Sequence, residues 1–261
     1  MIIVRHELRR GRIPFIVWTS VIGALLAVCI LLYSEMKLEL AGMQDMFSSM
    51  GGFASAFGID RLNFGTLTGY YAMECGNIWG LGGAFYAALC AIGVLSKEEK
   101  DKTAEFLLTH PISRVRVITE KLSAVFIQIV MMNIIIFAIS LVSITVVGEG
   151  ILWKELGLLH LAYFILQIEL ASICFGISAF MRKGSIGSGL GIATLMYFVN
   201  MISNITEKAD FLKYITPFAY CDGADIVTSG HLEWSLVAIG LAAAVICVFI
   251  AYFKYSRKDI H

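Results

Sequence analysis

Two stretches of this sequence leave little choice of fold. Cys75–Leu95 and Leu122–Val147 contain no charged residue, and each is long enough to cross a bilayer as a helix. In lipid the backbone finds no water to bond, so such a run must satisfy its own amides and carbonyls as an α-helix. Four more apolar runs have spanning length: Ile13–Tyr33, Leu156–Met181, Ile186–Ser203 and Leu236–Phe253. Charged residues make up 15% of the chain, where soluble proteins carry about 25%. The first run is too long for a signal-peptide core and lacks a small-residue cleavage site after it, which points to a retained anchor.

The basic residues predict the orientation. With the N-terminus inside, fifteen of the 20 Lys and Arg fall on the inner side. The five on the outer side are Lys37, Arg61, Lys154, Lys208 and Lys213. Inner loops carry the positive excess, so both termini are expected in the cytoplasm. The expected fold class is an all-α integral membrane protein of six transmembrane helices, N-in/C-in, forming one domain over residues 1–261.

Between the spans lie segments with their own pattern. Residues 1–12, MIIVRHELRRGR, set Ile2, Ile3, Val4 and Leu8 against Arg5, Arg9 and Arg10. This reads as a basic amphipathic helix on the membrane surface, or simply as a positive flank that sets topology. The first outer loop, 34–74, is too apolar for a disordered tail. It suggests short interface helices at Met36–Leu40 and within 43–57, with Tyr70 and Tyr71 as an aromatic belt at the point of re-entry. The last outer loop, 204–235, is expected to hold two short helices broken near Thr216-Pro217. Gly76, Gly80, Ala84 and Ala88 form a small-residue stripe on the second span, and Gly187 and Gly191 open the fifth in the same way. Such stripes let helices approach closely, either within one chain or between two copies.

Little here suggests chemistry on the chain itself. The six cysteines include no C-x-x-C pair, and four lie in apolar runs as small hydrophobes; Cys75 and Cys221 alone sit near the outer face. The five histidines show no ligand spacing, and no P-loop is present, so neither a metal nor a nucleotide site is expected. Net charge is zero and gives no reason to expect nucleic acid. Glu169 is the one ionisable residue deep in a span. A charge there costs at least ~2.5 kcal/mol, so it should face a cavity or a partner. It is either a proton or cation site or a structural carboxyl bonded to Gln128, Asn133 or Asn200. With Asn77 at the outer mouth of the second span, Glu169, Gln128 and Asn133 are the candidates for a transport path.

The charged island Lys97–Lys121 joins the second and third spans. It can form a helix from Lys97 to Leu108, end at Pro111, and restart with Ser113 as a cap. The alternative is a solvated loop with an apolar patch on lipid. Its residues Glu98-Glu99, Thr103, Glu105, Leu107-Leu108, Pro111-Ile112-Ser113-Arg114 and Lys121 resemble the signature of ABC-2-type transporter permeases, with Lys102 where glycine is usual. The span layout, the N-terminal helix and the Tyr214–Phe218 run agree with that family. The resemblance implies an export permease in a bacterial cell membrane, with no catalysis and no cofactor of its own. It also implies a second permease subunit and two copies of a separate ABC ATPase, which would carry ATP and Mg. The island would be the coupling helix. Phe106, Leu107 and Leu108 would dock on the ATPase, and Glu98, Glu99, Glu105 and Arg114 would set register. Arg5, Leu8, Arg9 and Arg10 would mark the interface helix beside it, resting on lipid. The apolar outer loops favour a hydrophobic or amphipathic substrate. Two rivals remain: a proton-coupled secondary transporter using Glu169, and a non-transporting scaffold or sensor. The first and last three spans show no duplication, which counts against the former.

Overall fold

In a computed structural model, residues 2–42, 46, 49–97, 112–150, 153–181 and 185–257 are described. Among them all regular structure is helical. α1 (Ile2–Arg10) turns through Gly11 into α2 (Arg12–Gly42). A short α3 (Gly52–Ala56) and a 3-10 turn (Ile59–Arg61) follow. Next come α4 (Leu67–Glu74), a π-helical turn (Cys75–Gly80) and α5 (Leu81–Ala91) without a break. α6 (Arg114–Val147), α7 (Trp153–Ser178) and α8 (Ile186–Ile205) lead to two 3-10 turns (Glu207–Tyr214 and Ala219–Cys221). The short α9 (Gly223–Ser229) and α10 (Trp234–Ser256) complete the chain.

Among the described residues, five helices are long and apolar enough to cross a membrane: α2, α6, α7, α8 and α10. They overlap five of the six expected spans. The other, Cys75–Leu95, is built differently. The wide turn at Cys75–Gly80 interrupts α-helical bonding, and the apolar run is shared between that turn and α5. Glu74 and Leu81, on either side, keep right-handed helical dihedrals, so the axis carries on through the turn.

Boundaries shift where the apolar pattern and the helix differ. From Ala24 to Ala41 no Gly or Pro intervenes, so α2 continues through Met36–Leu40, where a separate interface helix was expected. α6 begins eight residues before its apolar run. Ser113 caps it by accepting from the Arg116 amide at 3.3 Å, as its sequence position suggests. Pro217 does end regular structure in the last connector, which holds two 3-10 turns and α9.

α7 is the central helix. In its most apolar stretch 67% is buried, against 22–33% in the other four. It packs on α5 and α10, while α2 packs on α6 and α8 on α5. The small-residue stripe explains the α5–α7 contact. The Tyr163 ring lies on Gly80, and its hydroxyl lies beside Gly76. A side chain at Gly83 would overlap the Gln167 amide. Ala84 and Ala88 are fully buried. The stripe therefore serves packing within this chain. On α8 the contact falls to Gly189, against Ala88 and Ile92, rather than to Gly187 or Gly191.

Tyr70 and Tyr71 are buried and do not form an interfacial belt. Tyr71 Oη donates to Ser140 Oγ (3.1 Å) and meets His160 Nε2 at 2.7 Å, an internal pairing that ties α4 to α6 and α7. Cys75 and Cys221 are both free and buried, so no disulfide links them.

Candidate functional site

Charged groups join distant parts of the chain at the end of the bundle that carries α1, here the proximal end. Arg5, Arg9 and Arg10 of α1 are exposed and Leu8 is half-buried, while Ile3, Val4 and Glu7 are buried. The N-terminus of α1 is held by Glu120 of α6, whose Oε2 accepts from the amides of Ile3 (2.9 Å) and Val4 (3.4 Å). Helix N-terminal amides carry partial positive charge and hold an anion well. Arg116, one turn earlier on α6, fixes the other oxygen at 2.9 Å.

The ends of the charged island are clamped to the same frame. Lys97 Nζ pairs with the buried Glu7 at 3.0 Å. Lys121 is fully buried, and its ammonium donates to the Val94 carbonyl just past α5. The Leu95 amide donates to Ser178 Oγ on α7 (3.0 Å), and Arg114 Nη1 donates to the Ser256 carbonyl on α10 (3.3 Å). The described flanks of the island are thus bonded to α1, α6, α7 and α10 and to the end of α5. Of the candidate docking residues, Ser113 and Arg114 belong to this frame. Glu98, Glu99, Thr103, Glu105, Phe106, Leu107, Leu108 and Pro111 lie outside the described residues.

Beside the frame opens a cavity of about 520 Å³ between α1, α2, α5 and α6. Glu7, Arg10, Ser96 and Lys97 stand at its polar side; Trp18, Leu89, Val125 and Ile186 provide apolar wall. Gln128 lines it too, accepting from Tyr86 Oη at 2.9 Å and donating to the Ala124 carbonyl at 3.3 Å. A cavity of this size, mostly apolar with a few convergent polar groups, is the usual form of a small-molecule site.

The other candidate path residues do not gather around Gln128. Asn133 donates to the Ile129 carbonyl (2.9 Å) and to Gln167 Oε1 (2.8 Å), bridging α6 and α7. Asn77 sits in the π-helical turn near the opposite, distal end. Glu169 is fully buried on the α10 side of α7, against Gly240, where any side chain would overlap its carboxylate. Neither of its oxygens bonds Gln128, Asn133 or Asn200; the nearby polar group is the Tyr220 hydroxyl, beyond hydrogen-bond contact.

The distal end carries a cluster that the sequence did not bring to notice. Arg61 Nη2 bonds Asp222 Oδ2 at 3.1 Å, Nη1 pairs with Asp225, and Nε lies 3.8 Å from Asp60. Partial burial opposes its charge, but Asp222, Asp225 and Asp60 outweigh that and raise its pKa above the ordinary arginine value. Desolvation, then the neighbouring Asp222, raises the pKa of Asp225; Arg61 and Lys213 only partly offset this. Arg61 and Asp222 are 161 positions apart, so no local pattern marks them. Glu7 does have a signal: it is the lone acid in the basic segment 1–12.

A family model described as ABC-2 family transporter protein matches residues 1–260. The uncharacterized protein YhcI of Bacillus subtilis (strain 168) is 24% identical over 223 residues, covering 74% of this chain and 70% of its own length.

Proposed function

This chain belongs to the ABC-2 family of transporter proteins, and from that premise we propose that it is the permease subunit of an ATP-driven exporter. It is a multi-pass membrane protein with several apolar helices, a transport component and not an enzyme by family. In our reading Leu67–Ala91 supplies a sixth crossing, since its pieces run 25 residues without a break. The positive-inside bias then puts both termini and the proximal end in the cytoplasm. The working unit has a second permease subunit and two ABC ATPase subunits, with ATP and Mg on the latter.

The observation that carries this reading is the proximal frame. The island is tied at both ends, by Lys97–Glu7 and by Lys121–Val94, to helices on three sides. A partner pressing on it would move the tied segments of α1, α5 and α6 relative to α2, and the 520 Å³ cavity between them would change shape. The cavity's mixture of apolar wall and polar rim supports an amphipathic substrate.

A pull-down from native membrane in mild detergent tests the partnership. A stoichiometric P-loop ATPase is expected, and Phe106→Asp with Leu107→Asp should release it. A chain that purifies alone, or a double variant that keeps its ATPase, defeats the docking assignment. One observation favours a second reading. Glu169 is buried with no donor on either oxygen, as a proton-coupling carboxyl would be. Glu169→Gln abolishing transport while island variants leave it intact would select that reading.

A further inference from the structure

At the distal end a second, smaller cavity of about 60 Å³ lies beneath the Arg61 cluster. That is room for a few waters or a small chemical group. Its floor is the π-helical turn at Gly76 and Asn77, together with Tyr163 of α7 and Asn200 of α8. Tyr163 and Asn200 are 2% and 8% exposed, and Tyr163 Oη and Asn200 Oδ1 have no hydrogen-bond partner among the described residues. Buried polar atoms are rarely left that way, because an unmade bond costs more than a made one returns. π-helical turns also concentrate at functional sites.

The roof is formed by the two long connectors meeting each other. Gly58, at φ +67°, brings the first connector within contact of Ala224 and Asp222, an approach and a backbone that other residues do not accept. Arg61 then bonds Asp222 and Asp225 across the join. Asp222 itself is fully engaged: besides Arg61 it accepts from Asn204 Nδ2 (3.0 Å) and the Ala224 amide (2.9 Å). What faces the inside is neutral: the Tyr163 hydroxyl, the Asn200 amide and the Asn77 amide of the π-helical turn.

We propose that this chamber is the release site of the transported molecule, that it receives an uncharged head group able both to donate and to accept a hydrogen bond, such as a hydroxyl or primary amide, and that the Arg61 clamp is its outer gate. An anion would face the Asn200 oxygen and the Asp222 carboxylate. A cation would find no unengaged carboxylate to offset its desolvation. The proposal rests on the permease reading and its N-in orientation.

Cys221 lines the chamber and is 4% exposed, which makes it a native reporter. Intact cells are treated with small, uncharged methyl methanethiosulfonate, and the Cys221 peptide is quantified by mass spectrometry; a charged, membrane-impermeant methanethiosulfonate is applied separately to the Lys208→Cys variant. Lys208→Cys, exposed on the same connector, reports which side of the membrane is reached. Fully buried Cys174 reports folding. Arg61→Ala should speed Cys221 modification up to about fivefold, as expected when an exposed ion-pair cluster is removed. Asp222→Asn should act in the same direction, and Cys174 should stay protected in at least one of the two. In the variant that keeps Cys174 protected, 1-octanol should slow the reaction several-fold, and octanoate and octylammonium at equal concentration should not. Equal Cys221 rates in wild type and both variants, or loss of Cys174 protection in both, overturn the gate. Protection by a charged probe, or by none, overturns the head-group assignment. If Lys208→Cys is silent from outside, the orientation fails and takes the release site with it; the ATPase pull-down, which does not depend on this chamber, still stands or falls alone.

Discussion

At the proximal end the joining charges are deep: Lys121 is fully buried and the Glu7 side chain is 7% exposed. At the distal end Arg61 is 38% exposed and Asp225 47%, while Asp222, at 8%, keeps its bonds from Asn204 and the Ala224 amide when Arg61 is lost. Both clusters connect pieces of chain far apart in sequence. They differ in what happens when one member is removed. A buried charge that loses its partner is left uncompensated, which is costly, whereas an exposed one is taken up by water. The first arrangement suits a frame that moves as one body. The second suits a contact that opens and closes.

Substitutions can break or sharpen this contrast. The largest effect is expected for Glu120→Ala, which removes the anion at the start of α1 and the partner of Arg116 together. A loss of about 3 kcal/mol follows from the cap and ion-pair contributions, read as thermal unfolding in detergent and as proteolysis of the first ten residues. Glu7→Ala should cost about 2 kcal/mol, less than a fully buried pair because Lys97 is 28% exposed. Its effect should change little with salt. Arg61→Ala should cost at most about 1 kcal/mol, and 0.5 M salt should reproduce much of that loss in the wild type. Arg61→Ala costing more than Glu7→Ala would reverse the assignment of frame and gate.

The smallest effect is expected for Asp225→Asn, and its sign is informative. Asp225 faces Asp222 and Glu233 as like charges and Arg61 and Lys213 as opposite ones. Partial desolvation and the neighbouring Asp222 prevail, so its carboxyl binds a proton more readily in the fold than in the unfolded chain. Stability should therefore rise as pH falls through the folded pKa towards the unfolded value. Asp225→Asn should be neutral or slightly stabilising at pH 7 and should flatten that part of the pH profile. A clear destabilisation would show that Asp225 holds the clamp as firmly as Asp222 does.

The sequence was a good guide to whatever repeats along one helix. Apolar length placed five spanning helices, and Ser113 announced its own cap. It was a poor guide where two distant segments meet. The second span reads as one apolar run, yet the chain widens at Cys75–Gly80 to lay Gly76 and Gly80 against Tyr163, a demand set by the opposite helix. Tyr70 and Tyr71 look like interface aromatics because composition cannot tell a headgroup from Ser140 and His160. The four proposed path residues are alike in being polar within apolar runs, and the fold disperses them: Gln128 to the large cavity, Asn77 to the small one, Asn133 to Gln167 and Glu169 to Gly240.

By itself the sequence determined that the chain enters a membrane as helices, because no other backbone arrangement satisfies its bonds in uncharged runs of that length. It also carried the resemblance to the family signature in the segment between the second and third spans. Only the tertiary structure decided which charges join. Glu120 finds the amides of Ile3 and Val4 more than a hundred residues away, and Arg61 finds Asp222 across 161 positions. Helical periodicity fixes the face on which a residue lies, but its partner is chosen by the packing of whole helices, a property no single segment contains.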